Sequence, residues 1–178
     1  MEQHPTKQVL GEGKYLRLVH QAGWEYAERK NVSGVVVIVP VTSDRRIVLV
    51  EQRRLAVAAS VIELPAGLAG DIADEADESL ATAAARELVE ETGYVAGKMK
   101  FLTTGPPSAG LGDEVTSFFL ATELKKVSTG GGDETENIQV HEIPLSEVHD
   151  WLEEQRRQGK QLDVKIYAGL YFVGRAMK

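Results

Sequence analysis

Three glutamates lie close together in the segment AAARELVEETGY, at positions 87, 90 and 91, and no lysine lies near them. On a helix with about 3.6 residues per turn, Glu87, Glu90 and Glu91 share one face, where each like-charged pair costs roughly a few tenths of a kcal/mol. Arg86 offsets part of this repulsion, most simply by pairing with Glu90 one turn away. The cluster is either a solvated helix face or a site for a hard cation, since Mg²⁺ prefers oxygen ligands.

The three glutamates lie on a predicted helix that starts near Glu78. Apolar residues recur at i, i+3, i+4 and i+7, which predicts that one face is buried. This predicted buried stripe consists of Ala81, Ala84, Ala85 and Leu88. Gly93 follows at the position where a residue in left-handed conformation commonly ends a helix. The segment IELPAG comes before the helix, and its proline and glycine predict a turn.

The rest of the chain reads as short strands before and after this helix, with two further helices at the end. Segments rich in β-branched and aromatic residues, separated by turn formers, predict strands at 14–21, 24–31, 34–41, 46–54, 61–67, 98–104, 115–124 and 137–145. Apolar spacing predicts the terminal helices at 146–160 and 163–177. This order of elements predicts an α+β layered domain.

Composition excludes several classes of protein. The chain has 178 residues and a net charge of −7, so its long-range field repels nucleic acid and anionic membranes. Cysteine is absent, which excludes disulfides and thiolate metal sites. The N-terminal sequence lacks an apolar run after a basic start, and the run GVVVIVPV is too short to cross a bilayer. We therefore expect a cytoplasmic protein.

After Glu78 the sequence continues for seven residues and then reads RELVEETGY, residues 86–94. Together with Gly67, this resembles the Nudix hydrolase signature: Gly, five residues, Glu, seven residues, Arg-Glu, an aliphatic residue, any residue, Glu-Glu, any residue, Gly and an apolar residue. In this chain residues 68–77 lengthen the first gap to ten, which leaves the role of Glu78 open. The resemblance implies an α/β/α sandwich with a mixed sheet, a catalytic helix after a strand and loop, and extra N-terminal antiparallel strands.

The resemblance also implies a set of metal ligands. Glu87 and Glu91 would bind a divalent ion, Mg²⁺ or Mn²⁺, with the carbonyl of Ala66 nearby. Glu90 would either ligate the metal or be held by Arg86, and we count both of these residues with the catalytic groups. Bound cations polarise a phosphoryl oxygen and lower the pKa of a water molecule. The Nudix family cleaves nucleoside diphosphates that are linked to some other moiety.

Four further segments resemble one branch of that family, the ADP-ribose and nucleoside diphosphate sugar pyrophosphatases. VLVEQRR (48–54) resembles a strand that ends in an arginine beside the diphosphate, which implies that role for Arg54, with Arg53 as the alternative. PSAGLGDE (107–114) resembles a loop with an acid near the metal or the terminal ribose, here Glu114. The alternative is that these are ordinary strand-end and loop residues.

The other two segments imply a nucleobase site and a catalytic base. WEYAERK (24–30) resembles a segment whose tryptophan stacks on the base, often across a swapped dimer, so Trp24 either has that role or packs in the core. Arg29, in the same segment, is counted as substrate-binding. GGGDETENIQV (130–140) resembles the mobile acidic loop that carries the general base, which would be Glu134 or Glu136.

We therefore expect metal-dependent hydrolysis of ADP-ribose or of nucleoside diphosphate sugars such as GDP-mannose, giving a nucleoside monophosphate and a sugar phosphate. The alternatives are a catalytically inactive nucleotide-sugar sensor and a Nudix hydrolase acting on dinucleoside polyphosphates or nucleoside triphosphates. Residues 1–45 are predicted to be an N-terminal strand region exchanged in a homodimer, and residues 46–178 the catalytic domain. The expected partner is a small nucleotide sugar, with no nucleic acid and no membrane.

Overall fold

The structure, a computed structural model, describes residues 6–71, 78–132 and 137–176. Its strands are β1 (Gln8–Glu12), β2 (Leu16–Gln21), β3 (Trp24–Arg29), β4 (Gly34–Pro40), β5 (Arg46–Arg54), β6 (Ala59–Glu63), β7 (Ala66–Ala69), β8 (Tyr94–Gly105), β9 (Thr116–Lys126), β10 (Gln139–Pro144) and β11 (Gln161–Leu162). Its helices are α1 (Leu80–Thr92), α2 (Val148–Arg157) and α3 (Lys165–Ala176). None of the helices in the described ranges is long and apolar enough to span a membrane.

The central strands form two four-stranded sheets, in the orders β10-β5-β6-β11 and β7-β4-β9-β8. Strand β4 shows how the layers form, because successive side chains of a strand point to opposite faces. Val37 and Val39 pack in the cluster that contains Leu152 of α2 and Ile166 of α3. Val36 and Ile38 instead pack in the cluster that contains Ala84 and Leu88 of α1. The predicted α+β fold with helices on both sides of mixed strands is confirmed.

The predicted strand at 61–67 is in fact two strands that belong to different sheets. β6 pairs with β5 and β11, whereas β7 pairs with β4. Pro65 lies between them and has no amide proton, so a continuous ladder through this position is disfavoured. Its carbonyl accepts a hydrogen bond from Ile38 N–H at 2.8 Å. The chain therefore crosses from one sheet to the other immediately before α1.

Helix α1 is bounded as its sequence indicates, but its buried face differs from the predicted one. The Ser79 side chain caps its first turn, and Gly93 ends it at φ 74° with its N–H donated to Val89 O. Ala84 and Leu88 are buried, whereas Ala81 and Ala85 of the predicted stripe are exposed. The other buried residues of the helix are Ala83, Glu91 and Thr92. The helix is thus rotated so that Glu91, seven residues after Ala84, lies on its packed side.

The first three strands form a separate antiparallel sheet in the order β1-β2-β3. Ala27 of β3 attaches it to the loop at 106–115, because its N–H donates to Leu111 O at 2.8 Å and its carbonyl accepts from Asp113 N–H at 3.3 Å. Strand β4, which also precedes residue 45, pairs instead with β7 and β9 in a central sheet. The predicted division at 45/46 stays a prediction.

Candidate active site

A cavity of about 650 Å³ opens between α1 and the ends of several strands. One wall carries the glutamates of α1 together with the segment from Ala66 to Leu68. Other parts of the wall come from the ends of β3, β5 and β6, from the loop before β9, and from the start of α3. The cavity therefore collects charged side chains that are far apart in the sequence.

Arg86 holds in place the side chains of the wall that carries the glutamates of α1, which we call the acidic wall. Its Nη2 donates to Leu68 O at 2.8 Å and to Glu78 Oε2 at 3.2 Å, and its Nε donates to Glu78 Oε1 at 3.3 Å. Its Nη1 donates to Glu87 Oε1 at 2.9 Å and to Glu90 Oε2 at 3.2 Å. The pairing with Glu90 is the one that helix spacing predicts. Glu78, whose side chain is almost wholly buried, fixes the orientation of Arg86 despite the lengthened loop before it.

Glu87 is held in a confined place against the backbone of Gly67. A Cβ atom at position 67 would lie 1.9 Å from the Glu87 carboxyl carbon, so only glycine leaves room for this side chain. The Glu87 side chain is 12% exposed. Burial raises the pKa of Glu87 to about 7; Arg86 opposes the rise and the charge of Glu90 adds to it. The positive charge nearby is therefore too small to offset the cost of burying this carboxylate.

Glu91 and Glu90 differ in exposure although they are adjacent. Glu91 is buried, and its Oε2 accepts a hydrogen bond from Ala66 N–H at 3.2 Å. The Glu90 side chain is 49% exposed. The backbone carbonyls of Glu91 and Glu90 accept hydrogen bonds from Gly131 N–H at 2.9 Å and Gly132 N–H at 3.0 Å. The first residues of the predicted acidic loop thus contact the C-terminal end of the helix.

The acidic wall suits a divalent metal ion in the chemistry of its donors. Carboxylate oxygens are the ligands of Mg²⁺, and a cation beside Glu87 would offset the cost of burying its charge, which raises its pKa, and the added repulsion from Glu90. No group of three Asp, Glu, His or Cys side chains within residues 6–71, 78–132 and 137–176 stands arranged to hold an ion. Ala66 directs its N–H at Glu91, and the role of its carbonyl stays a prediction, as do the metal roles of Glu87, Glu90 and Glu91.

A second part of the wall consists of paired charges, of which the sequence analysis singled out only Arg54. Arg54 Nε donates to Glu63 Oε2 at 2.7 Å. Burial raises the pKa of Glu63, and Arg54 opposes the rise. Asp163 and Lys165 form a second pair beside them. Only the parallel pairing of β6 with β11 brings position 163 next to position 63, and no local sequence pattern indicates it.

Of the predicted substrate-binding residues, three lie at this cavity and two do not. Arg54 lines it, whereas Arg53, the alternative, is exposed and does not. Arg29 and Glu114 line it together, joined by an ion pair of 2.9 Å. Trp24 is 69% exposed, so it does not pack in the core of this chain. It borders a separate cavity of about 450 Å³ with Tyr26, Ala109 and Gly112 among its lining residues.

The two predicted catalytic bases, Glu134 and Glu136, lie outside the described residues. What the structure does show is where that segment begins, at the end of α1 beside Glu90 and Glu91. On the far side of these residues, Ile138 N–H donates to Gly131 O at 3.2 Å.

Comparison with known proteins identifies the relatives of the chain. The sequence model of the NUDIX domain matches residues 31–163. The methanol dehydrogenase activator of Bacillus methanolicus is 36% identical over 124 residues, which cover 69% of this chain and 64% of that protein. The ADP-ribose pyrophosphatase of Bacillus subtilis (strain 168) is 36% identical over 115 residues, covering 64% of this chain and 60% of that protein. The chain thus spans less than two thirds of the length of either relative.

One more relative and one solved structure also match the chain. The GDP-mannose pyrophosphatase of Escherichia coli (strain K12) is 30% identical over 137 residues, covering 72% of this chain and 69% of that protein. The crystal structure of an ADP compounds hydrolase superposes with a TM-score of 0.73, covering 98% of this chain and 95% of that one at 22% identity. This structural likeness shows the shared fold.

Proposed function

The chain belongs to the Nudix family, and we propose that it hydrolyses the diphosphate bridge of ADP-ribose or of nucleoside diphosphate sugars with the help of a divalent metal ion. The products would be a nucleoside monophosphate and a sugar phosphate. The named activities of two relatives, an ADP-ribose pyrophosphatase and a GDP-mannose pyrophosphatase, support this choice of substrate class.

One observation carries the proposal: carboxylates and guanidinium groups line the same cavity. Glu87, Glu90 and Glu91 line it on the side of α1, and Arg54 and Arg29 line it elsewhere. A diphosphate bridge bears negative charge that the carboxylates alone would repel, so they suit such a ligand only through a cation. Guanidinium groups bind phosphate oxygens directly with paired N–H donors. The cavity thus fits a diphosphate bridge bound with a cation.

The residues that line the cavity would have distinct roles in this reaction. A divalent ion, when bound, would polarise the phosphoryl group and lower the pKa of a water molecule. Glu87, Glu90 and Glu91 would hold it, while Arg86 keeps two of these carboxylates in place through the contacts described above. Arg54, itself oriented by Glu63, would bind the bridge. Glu134 or Glu136 would take the proton from the attacking water.

A substrate panel tests the proposal. Hydrolysis of ADP-ribose, GDP-mannose, dinucleoside polyphosphates and nucleoside triphosphates would be followed by chromatographic separation of the nucleotide products. We expect turnover of the first two with Mg²⁺ or Mn²⁺ and none with a chelator; turnover confined to the triphosphates contradicts the substrate class. Glu91→Gln should lower kcat by about 10²-fold or more, whereas Glu153→Gln, on the exposed face of α2, should leave it unchanged. Tight ADP-ribose binding without turnover would instead indicate a sensor.

The same assay distinguishes the two predicted bases. Removing a general base costs about 10²- to 10⁴-fold in rate, so either Glu134→Gln or Glu136→Gln should show a loss of that size. The loss should appear in kcat with little change in KM. If both single variants keep their rate, neither residue is the base.

We further propose that the protein acts as a homodimer. Trp24 and Arg29 are five positions apart on β3 and therefore point to opposite faces, so they serve different cavities of one chain. The N-terminal sheet exposes Leu16 and Leu18, which lie two positions apart on the same face of β2 and which a second copy would cover. Light scattering coupled to size exclusion should give twice the mass of the chain. A monomer that turns over ADP-ribose would exclude this part of the proposal.

A further inference from the structure

Backbone N–H groups from the connection after β9 cover the C-terminal end of α1. The last four carbonyls of a helix have no partner within the helix itself. Two of them, those of Glu90 and Glu91, accept hydrogen bonds from Gly132 N–H at 3.0 Å and from Gly131 N–H at 2.9 Å. The connection is therefore bonded to the backbone of two residues whose side chains line the cavity.

The neighbouring residue, Gly130, makes this close approach possible. A Cβ atom there would lie 2.4 Å from Thr92 C, 2.6 Å from Glu91 O and 2.7 Å from Gly93 N, whereas ordinary contacts begin at 3.4 Å. All three are backbone atoms of the helix end, which cannot turn aside as a flexible side chain could. A side chain at position 130 would thus force the connection and the helix apart by about 1 Å, the difference between 3.4 and 2.4 Å.

Such a separation would reach the carboxylates of both glutamates. Glu91 Oε2 accepts a hydrogen bond from Ala66 N–H at 3.2 Å, and Glu90 Oε2 accepts one from Arg86 at 3.2 Å. Both contacts are already at the long end of the hydrogen-bond range, so a shift of the helix end by about 1 Å would break them. The position of these carboxylates therefore depends on the backbone contact as well as on their own partners.

We propose that Gly130 is a positioning residue that sets where Glu90 and Glu91 present their carboxylates to a divalent ion. The inference rests on the proposed function and deepens it, because it adds a residue that does not itself line the cavity. Gly130 acts by what it lacks: without a side chain, the connection lies directly against the end of α1. Contacts behind the ligands of a metal typically change its affinity by about 10- to 100-fold when they are removed.

Titration with Mn²⁺ alone tests the proposal without any turnover. The signal of the free ion in electron paramagnetic resonance gives Kd for the unchanged protein and for Gly130→Ala. We expect Gly130→Ala to raise Kd by about tenfold or more. The matched control is Gly159→Ala, because Gly159 also has a positive φ, 86° against 69° for Gly130, and a Cβ there would meet nothing within 4 Å. That control should keep Kd within about twofold of the unchanged protein.

Thermal unfolding separates positioning from a general loss of stability. Alanine at a positive φ is strained in both variants, so both should unfold a few degrees below the unchanged protein. Only Gly130→Ala should also lose affinity for Mn²⁺. An unchanged Kd in Gly130→Ala overturns the proposal, and so does an equal loss of affinity in Gly159→Ala.

Hydrogen exchange of the unchanged protein gives a test that does not depend on how a variant folds. If the contact with the connection raises metal affinity, then bound metal must strengthen the contact by a corresponding factor. Saturation with Mg²⁺ should therefore raise the protection of Gly131 and Gly132 N–H by about tenfold, measured by NMR. Leu145 N–H, which donates to Arg45 O at 2.9 Å, should change by less than about twofold. Protection at Gly131 and Gly132 that ignores Mg²⁺ overturns the proposal.

The same measurements distinguish failure of this inference from failure of the proposed function. Metal-dependent hydrolysis of ADP-ribose, with a Kd for Mn²⁺ that Gly130→Ala leaves unchanged, refutes the inference alone. Mn²⁺ binding that depends on Gly130, without hydrolysis of ADP-ribose or GDP-mannose, refutes the proposed function alone. A protein that takes up no Mn²⁺ refutes both.

Discussion

Replacing Gly67 with alanine is the most direct test of how the acidic wall works. The added Cβ would lie 1.9 Å from the carboxyl carbon of Glu87 and 2.1 and 2.4 Å from its oxygens, whereas ordinary contacts begin at 3.4 Å. The carboxylate must therefore move by about 1.5 Å, the difference between 3.4 and 1.9 Å. A misplacement of about 1 Å in a catalytic group can cost about 10²-fold in rate. We expect Gly67→Ala to lower kcat by at least that factor.

The effect on stability should be much smaller than the effect on rate. Alanine in a strand gains about 0.5–1 kcal/mol over glycine, because the unfolded chain has less freedom to lose. Displacing Glu87 weakens its hydrogen bond with Arg86, a loss of about 1 kcal/mol at this partly exposed pair. The two contributions nearly cancel, so the unfolding temperature should shift by only a few degrees.

Steady-state kinetics with ADP-ribose and a thermal unfolding curve would be measured for each variant. Gly105→Ala is the matched control, since Gly105 is also a strand residue and a Cβ there would meet nothing within 4 Å. That variant should keep its rate. If Gly67→Ala keeps kcat within about threefold of the unchanged protein, the position of Glu87 does not matter for turnover and the reasoning fails.

Three other predictions concern charge, geometry and stacking. The pKa of Glu87 is raised to about 7 in the folded chain from 4.5. Without metal, the contribution of Glu87 to folding is therefore most favourable below about pH 4.5 and is lost as the pH rises through 7. Urea unfolding in a chelator should show the free energy of unfolding falling by up to about 2 kcal/mol over this range, and Glu87→Gln should abolish that fall. Arg86→Lys keeps the charge but not the planar donors that hold Leu68 O, Glu78, Glu87 and Glu90, so kcat should fall about tenfold, whereas Arg156→Lys on the surface should have no effect. Trp24→Ala should raise KM for ADP-ribose about tenfold if the ring stacks on adenine, and the equally exposed Tyr15→Ala should not.

The sequence predicts most of the fold because most of it depends on local patterns. Apolar spacing and the position of Gly93 locate α1, and alternating β-branched residues locate the long central strands. Two short strands are missed: β1 (QVLGE) has few strand formers, and β11 has only two residues. Their existence depends on the neighbouring strand, which a local pattern does not contain.

The contacts of the acidic wall are likewise only partly predictable from the sequence. The spacing of Glu87, Glu90 and Glu91 follows from helix geometry, and so does the Arg86–Glu90 contact. Burial of Glu91 does not, because it depends on the N–H of Ala66 in strand β7. The pairs of Glu63 with Arg54 and of Asp163 with Lys165 come from the order of strands in the sheet. Long-range pairing of this kind has no signature in the sequence of either partner.

The hydrogen bonds of Ala27 to Leu111 and Asp113 have a consequence for how this protein can change over time. They hold the loop that borders the Trp24 cavity and also leads to Glu114, which pairs with Arg29 in the larger cavity. An insertion or deletion in that loop would disturb both places at once. Preference for a base and speed of turnover should therefore vary together among relatives that differ in this loop, and a designer who wishes to alter one of them should leave its length untouched.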